Sequence, residues 1–315
     1  MTIWIVGIVL AIIATTLVPH TAATAAAATA GPFATLAVII LASALAGRLG
    51  AFALLARALI PARSTPVVAV AATLAFTALL SALVNLDVAV VVATPVALGA
   101  AHRQRMSAER LAVAVAITAN ASSFLLPTSN ITNLLLMSHL HLSTSAYAAD
   151  SWLPWILVTA ATIAPLAWWA ASARTSSVPA GPADGGPSAR AVSDLIPMFL
   201  LAAAIRALLG GLTLPGGFTG QLTAGALLAA VVNNLPAAAT IVPHGAQGLW
   251  AAILATTIGP DLLVTGSVAT LITRRIVRDS RLQLSAWQFS TIGLMLIPAQ
   301  LTAATVGLHI TGALS

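Results

Sequence analysis

The chain has 315 residues, of which 59% are hydrophobic and only 6% charged, and its mean hydropathy is +1.02. A soluble domain carries about a quarter charged residues because its surface must stay hydrated, so this composition excludes a soluble protein and predicts an integral membrane protein of many spans. The net charge of +6 comes from arginines in short clusters between apolar runs, which indicates membrane-flanking loops rather than a nucleic-acid surface, and the absence of Cys excludes disulfides and thiolate metal sites.

The first predicted element is a retained span close to the N-terminus. The apolar run Ile3–Pro19 lacks the preceding basic residues of a signal peptide, although the small residues at 21–30 leave a cleaved signal peptide open as the alternative. Residues 1–32 are therefore predicted as an N-terminal span followed by an outer loop.

Residues 33–173 are predicted to form a first repeat that begins with a span. The apolar runs Pro66–Val84 and Val88–Ala100 follow, and the second is shorter than the roughly 20 residues that a crossing needs. Because basic residues flank both runs, residues 66–101 are predicted as a re-entrant hairpin that opens to the cytoplasm. A helix over 111–137, broken at its polar centre, and a further span complete the repeat.

A segment rich in Ser, Pro and Gly, residues 174–193, is the predicted cytoplasmic linker between two halves. The second repeat, residues 194–315, is predicted to contain a span, an outward-opening hairpin at 221–246, a broken helix at 249–273 and a final span. Short apolar segments with polar or Pro-containing breaks are typical of such hairpins and broken helices.

The arginines also predict the orientation in the cell membrane. Basic loops face the cytoplasm, and the Arg clusters at 48–63, 103–110, 174–190 and 274–281 fall on one side of a scheme with about seven crossings and two opposed hairpins. The N-terminus is then cytoplasmic and the C-terminus lies outside.

Two matches relate the halves of the chain. Asn85 and Asn233 each lie at a predicted hairpin tip and are each followed ten positions later by Pro, and residues 125–135 align without gaps to residues 262–272. The first copy runs outward and the second inward, so the repeats are inverted. Inverted repeats with broken helices predict an all-α polytopic secondary transporter that works by alternating access.

The polar residues at the breaks are candidate substrate and ion contacts. Unwound backbone in a membrane must line a cavity or pack inside protein. Helix N-termini favour anions, and Asn, Ser and Thr oxygens suit a bound Na⁺; no other cofactor is predicted. The alternative role for the amides and hydroxyls is interhelical hydrogen bonding. The candidates are Asn85, Asp87, Asn120, Thr128, Ser129, Asn130, Thr132, Asn133, Asn233, Asn234, Asp261, Thr265, Ser267 and Thr270.

Asp87 and Asp261 are the candidate proton-coupling residues. An acid within a membrane helix costs roughly 2.5–3.5 kcal/mol on insertion scales unless it is paired or protonated. Asp87 is the sole ionisable residue between Ser64 and Ala101, and Asp261 is its counterpart in the second half. Asp87 could instead cap the helix that begins near Val88, and Asp261 could be a loop residue packed against an arginine.

Two other residue types carry weaker signals. His139 and His141 are two positions apart without further ligands, which indicates a solvated loop, and no metal site is predicted. The tryptophans lie close to the ends of predicted segments, as interface anchors do; they are Trp4, Trp152, Trp155, Trp168, Trp169, Trp250 and Trp287.

The motifs at the breaks resemble those of the arsenite/antimonite efflux carriers of the ion-transporter superfamily, in a shortened form. The matching segments are residues 85–87 with Thr94-Pro95, 119–134, 233–236 and 259–271. The resemblance implies export of arsenite or antimonite, as a small oxyanion or its neutral acid, by antiport with protons or by membrane potential. It also implies a cytosolic ATPase subunit as partner of some members, and it leaves a homodimer open.

Other functions stay open beside metalloid export. The same superfamily holds sodium-coupled dicarboxylate symporters, so a sodium- or proton-coupled carrier of another small anion is the first alternative, although no basic residue lies beside the breaks to favour a dianion. A non-transporting membrane scaffold is the second, because the chain is short. Without a nucleophile motif or an acid–base pair in a suitable context, an enzyme is not predicted.

Overall fold

The computed structural model describes residues 2–59, 64–137, 142–173 and 195–314, and these residues are almost entirely helical. The helices of the first half are α1 (Thr2–Leu17), α2 (Pro19–Arg48), α3 (Ala51–Leu59), α4 (Pro66–Leu83), α5 (Leu86–Gln104), α6 (Ala108–Ala121), α7 (Ile131–Met137) and α8 (Thr144–Ser172). Those of the second half are α9 (Leu195–Leu209), α10 (Phe218–Val232), α11 (Asn234–Thr240), α12 (Gly245–Ile258), α13 (Val268–Asp279) and α14 (Ala286–Thr311). The linker 174–193 and the pair His139 and His141 lie outside the described residues.

Several helices are suited to a lipid bilayer. Among the described residues, α4, α5, α8 and α14 are each long and apolar enough to cross a membrane, and shorter apolar helices cover Ile5–Leu17, Phe199–Leu209 and Phe218–Val232. These helices confirm the predicted all-α polytopic membrane fold.

The N-terminal region differs from its prediction. Residues 20–32 were expected to form an outer loop, but they belong to α2, which begins at Pro19 and continues to Arg48. The physical reason is local: this stretch is rich in alanine, the strongest helix former, and proline is well tolerated in a first helical turn.

Helix α5 is longer than the apolar run Val88–Ala100 from which it was predicted. The side chain of Asn85 caps its N-terminus, accepting a hydrogen bond from the Asp87 backbone N–H at 2.8 Å. The helix continues to Gln104 and ends at Arg105, whose φ of 54° is left-handed. Both arms of the predicted hairpin, α4 and α5, therefore have span length.

The two predicted broken helices are interrupted where the sequence indicates. Residues 122–130, which include a single 3₁₀ turn at Pro127–Ser129, separate α6 from α7. In the second half a 3₁₀ turn at Gly259–Leu262 and residues 263–267 separate α12 from α13. Asn233 alone separates α10 from α11.

The interior is assembled from helices of both halves. Helix α8 packs along α14, α10 along α12, and α5 contacts both α6 and α13, while α1 and α2 pack on α9. Close approach depends on small residues: at Gly307 of α14 a Cβ atom would come within 2.6 Å of the Cα of Pro154 in α8.

One predicted interface anchor is a core residue instead. Trp250 of α12 is fully buried, and its ring lies 4.9 Å from the ring of Tyr147. Neighbouring helices enclose α12 along almost its whole length. Trp250 therefore does not lie at a membrane surface, although it is close to the end of a predicted segment. Trp152, Trp168 and Trp287 are exposed, as anchors at an interface are.

Candidate functional site

A small cavity, partly open at its mouth, lies where the helix breaks of the two halves meet. Its walls come from the N-terminal ends of α5, α7, α11 and α13 and from one aromatic residue of α2. The lining residues are Phe33, Leu86, Asp87, Asn130, Ile131, Thr132, Asn234, Leu235, Ser267 and Val268. Of the fourteen candidates from the sequence, Asp87, Asn130, Thr132, Asn234 and Ser267 are therefore brought together here.

The lining has the symmetry of the aligned repeats. Asn130 and Ser267 occupy equivalent positions in the two halves, and so do the apolar residues Ile131 and Val268 that follow them. The hairpin tips contribute in the same way, since Leu86 is equivalent to Asn234. The cavity thus takes matched positions from both halves of the chain.

The two tip asparagines make equivalent contacts. Asn85 donates from Nδ2 to the carbonyl oxygen of Thr128 at 3.3 Å, and Asn233 donates from Nδ2 to the carbonyl oxygen of Thr265 at 2.9 Å. Asn233 also caps α11, its Oδ1 accepting from the Leu235 N–H at 3.3 Å. Each asparagine therefore ties a hairpin tip to the break of its own half, and neither lines the cavity described above.

Thr128 and Thr265 contribute through their backbone. Both residues are exposed, and the carbonyl oxygen of each accepts the hydrogen bond of a tip asparagine. Their side chains are not among the groups that line the cavity.

Ser129 and Asn133 hold the first break together. The Ser129 hydroxyl donates to the carbonyl oxygen of Ala82 at 2.5 Å and accepts from the Leu126 N–H at 2.9 Å. Asn133 donates from Nδ2 to the carbonyl oxygen of Ser123 at 2.9 Å. Both side chains are buried, and they satisfy backbone groups in the break and at the C-terminal end of α4.

The polar groups in the cavity are only partly satisfied. The hydroxyls of Thr132 and Ser267 are buried and have no hydrogen-bond partner within the described part of the chain. Asn130 donates from Nδ2 to the Ser123 hydroxyl at 3.2 Å and accepts from the Thr132 N–H at 3.1 Å. Buried polar groups are normally paired, so two unpaired hydroxyls in a cavity wall indicate a place for a ligand.

Asp87 is the acidic group of the cavity. It lies in the first turn of α5 and is 9% exposed, and Asn85, not Asp87, caps this helix. Among the described residues no cationic side chain lines the cavity, and the positive groups they supply here are the N-terminal ends of the longer helices α5 and α13. The site therefore combines donors that suit an anion with a carboxylate that suits a proton or a metal cation.

Three other candidates form a separate cluster. Asn120 donates from Nδ2 to Oδ1 of Asp261 at 2.8 Å and to the Thr270 hydroxyl at 3.2 Å. All three are buried, and none lines the cavity. The alternative that Asp261 packs against an arginine is wrong for the described part of the chain, because the side chain that binds its carboxyl group there is the amide of Asn120.

Sequence reasoning missed two residues of this region. Phe33 lines the cavity and makes an edge contact with Phe199, with ring centroids 5.7 Å apart, but a single Phe in an apolar run carries no signal. Ser123 binds three of the candidate asparagines through its hydroxyl or its carbonyl oxygen. It belongs to the segment Asn120-Ala121-Ser122-Ser123, whose polar residues in an apolar helix could have indicated its role.

Comparison with known proteins gives a family. The sequence model described as the citrate transporter family, CitMHS, matches residues 1–308. Among curated protein sequences, none matches the chain. The match confirms a multi-span secondary transporter of the ion-transporter superfamily, but it does not confirm arsenite or antimonite export, and the carboxylate alternative fits it better. A homodimer and an ATPase subunit do not follow from it.

Proposed function

The chain belongs to the citrate transporter family, and on that premise we propose that it is a secondary active carrier of citrate or a related small carboxylate, moved together with a cation. The observation that carries the proposal is the cavity in which helix N-termini and unpaired hydroxyls from both halves converge.

The anion-binding part of the site consists of hydrogen-bond donors. The hydroxyls of Thr132 and Ser267 donate to carboxylate oxygens, and the N-terminal ends of α5 and α13 stabilise the negative charge. A hydrogen bond to a charged group is worth about 1.5–3 kcal/mol, so both donors stabilise a bound carboxylate.

The transported cation compensates the negative charges of the substrate and of Asp87. Asp87 is negative when ionised, and the described residues of the cavity wall include no basic side chain, so a carboxylate that enters alone is repelled. A proton or metal cation on Asp87 removes this repulsion, so anion and cation bind together. This coupling also accounts for a carboxylate substrate in a site whose described lining contains no arginine.

Alternating access follows from the arrangement of the breaks. The cavity lies between matched positions of the two halves, and each hairpin tip is bound to its own half through Asn85 or Asn233. We propose that the halves move relative to each other around the bound substrate. The predicted orientation, with a cytoplasmic N-terminus and an outer C-terminus, belongs to this proposal.

The test is transport by the purified protein in liposomes. Radiolabelled citrate should accumulate when a proton or sodium gradient is imposed, and arsenite should not. The variant Asp87→Asn, which keeps the shape of the side chain, should lose the dependence on the cation gradient. Accumulation of arsenite without citrate would favour the metalloid carrier instead, and transport of neither would favour the scaffold.

A further inference from the structure

The cluster of Asn120, Asp261 and Thr270 joins the two halves away from the cavity. Asn120 lies in the last turn of α6, Asp261 in the 3₁₀ turn after α12, and Thr270 in the first turn of α13. The Asn120 amide bridges the other two side chains, at 2.8 Å and 3.2 Å. A residue of the first half is thus hydrogen-bonded to the helix break of the second half.

The carboxyl group of Asp261 has an uncompensated charge if it is ionised. Asp261 is fully buried; Asn120 binds Oδ1, while Oδ2 has no partner in the described part of the chain. One neutral hydrogen bond does not offset the cost of removing a carboxylate from water, and buried carboxylates are normally paired with a cation or protonated.

The helices around Asp261 supply no such cation. Helices α10 and α12 carry no titratable side chain. In α6, Glu109 and Arg110 lie in the first turn, ~15 Å along the axis from Asn120, and in α14 His309 lies in the last turn, ~24 Å beyond the contact at Gly293. In α13 the closest charge is Arg274, which is exposed one turn after Thr270.

The backbone around Asp261 is closely packed, and among the described residues no group of three or more His, Asp or Glu side chains could hold a metal ion. A Cβ atom on Gly293 of α14 would collide with the carbonyl oxygen of Asp261. At Gly259 a Cβ atom would lie 2.6 Å from the Cα of Ala226, and at Gly266 it would lie 2.8 Å from the Cα of Pro260. A metal ion requires several oxygen ligands around it, whereas a proton adds no volume.

We propose that Asp261 is a proton-binding site that links the two halves of the carrier. In the structure described here its carboxyl group carries the proton and is held by Asn120. When the halves move apart and water reaches the cluster, the O–H bond breaks, its electron pair stays on the carboxylate, and the proton passes to water. The proposal deepens the carrier function and, for its role in transport, rests on it.

Infrared spectroscopy of the purified full-length protein in lipid tests the protonation directly. The carbonyl band of a buried carboxylic acid should be present at neutral pH, should be lost in Asp261→Asn, and should remain in the matched variant Asp87→Asn. A spectrum in which Asp261→Asn leaves this region unchanged would overturn the proposal. If Asp261→Asn does not fold, Asn120→Leu serves in its place: removing the hydrogen bond should shift the band, and an unshifted band counts equally against the proposal.

Transport measurements test the link to the carrier cycle. In liposomes, citrate uptake by the natural chain should increase when an inward proton gradient is imposed, and Asp261→Asn should lose this response. A response equal to that of the natural chain would refute the link. The infrared experiment needs no substrate, so it decides the protonation of Asp261 whatever the protein transports. If the protein does not carry citrate, that result contradicts the proposed function alone.

Discussion

The side-chain amide of Asn233 donates a hydrogen bond to the carbonyl oxygen of Thr265 at 2.9 Å, from a residue whose own φ is +84°. The equivalent contact in the first half, from Asn85 to Thr128 at 3.3 Å, is made from an extended backbone with φ of −176°. The two halves therefore make the same tertiary contact with different backbone conformations, and only the second tip needs a positive φ, which residues other than glycine disfavour.

This difference predicts opposite responses to glycine at the two tips. Asn233→Gly and Asn233→Ala both remove the hydrogen bonds, but only alanine keeps the strain of a positive φ, so Asn233→Ala should be the less stable variant by about 1 kcal/mol. Thermal unfolding in detergent measures the difference. At Asn85 the order should reverse or vanish, because glycine relieves no strain there; the same order at both positions would contradict the explanation.

The contact between α14 and the second helix break predicts a strict requirement for glycine at position 293. Gly293→Ala places a methyl group against the carbonyl oxygen of Asp261, so α14 has to move away, and we expect a loss of more than ~3 kcal/mol with little folded protein recovered. Gly31→Ala is the matched control, since a Cβ atom there meets nothing within 4 Å. This control should be neutral or slightly stabilising in a size-exclusion and melting assay.

The unpaired hydroxyl of Thr132 predicts a role in substrate affinity. Thr132→Val keeps the shape of the side chain and removes the donor, which should raise the KM for citrate about tenfold or more with little change in stability. Thr118→Val is the matched control: that hydroxyl is also buried and unpaired among the described residues, but it does not line the cavity. Equal effects of both substitutions on KM would show that Thr132 acts through the fold.

The aromatic wall of the cavity predicts a contribution from α2. Phe33→Ala removes the ring that lines the site and should raise the KM for citrate about tenfold, equivalent to ~1.4 kcal/mol of lost contact. Phe199→Ala removes the other ring of the pair, which does not line this cavity, and should leave KM within about twofold. A larger change for Phe199 would mean that the pair acts by positioning α2 and α9.

Much of the local structure could be predicted because its causes are local. Apolar runs define the helices; Asn85 and Asn233 mark the tips because an Asn side chain can cap a helix, and Pro127 favours a break because it removes a backbone hydrogen bond of a helix. Residues 20–32 were predicted wrongly because the expected loop came from the scheme of membrane crossings. The helix propensity of this alanine-rich stretch favours the helix that the structure shows.

Which polar residues share a site depends on tertiary contacts. Thr132 and Asn133 are neighbours in one turn of α7, but Thr132 faces the cavity and Asn133 binds the break, because successive residues of a helix point in different directions. Asp87 and Asp261 are both predicted from the sequence as proton-coupling residues, one in each half. In the structure Asp87 lines the cavity, whereas Asp261 is enclosed between α6, α10, α12 and α14.

The sequence by itself determined a membrane carrier of two related halves, because hydropathy and matched breaks are carried by short stretches of chain. Only the tertiary structure decided that four breaks and Phe33 enclose one cavity, and that Asn120 and Asp261 meet elsewhere, 141 positions apart. The physical reason is that the rotation of each helix and the partner it packs against are set by close contacts such as Gly293 on Asp261, which no local pattern encodes.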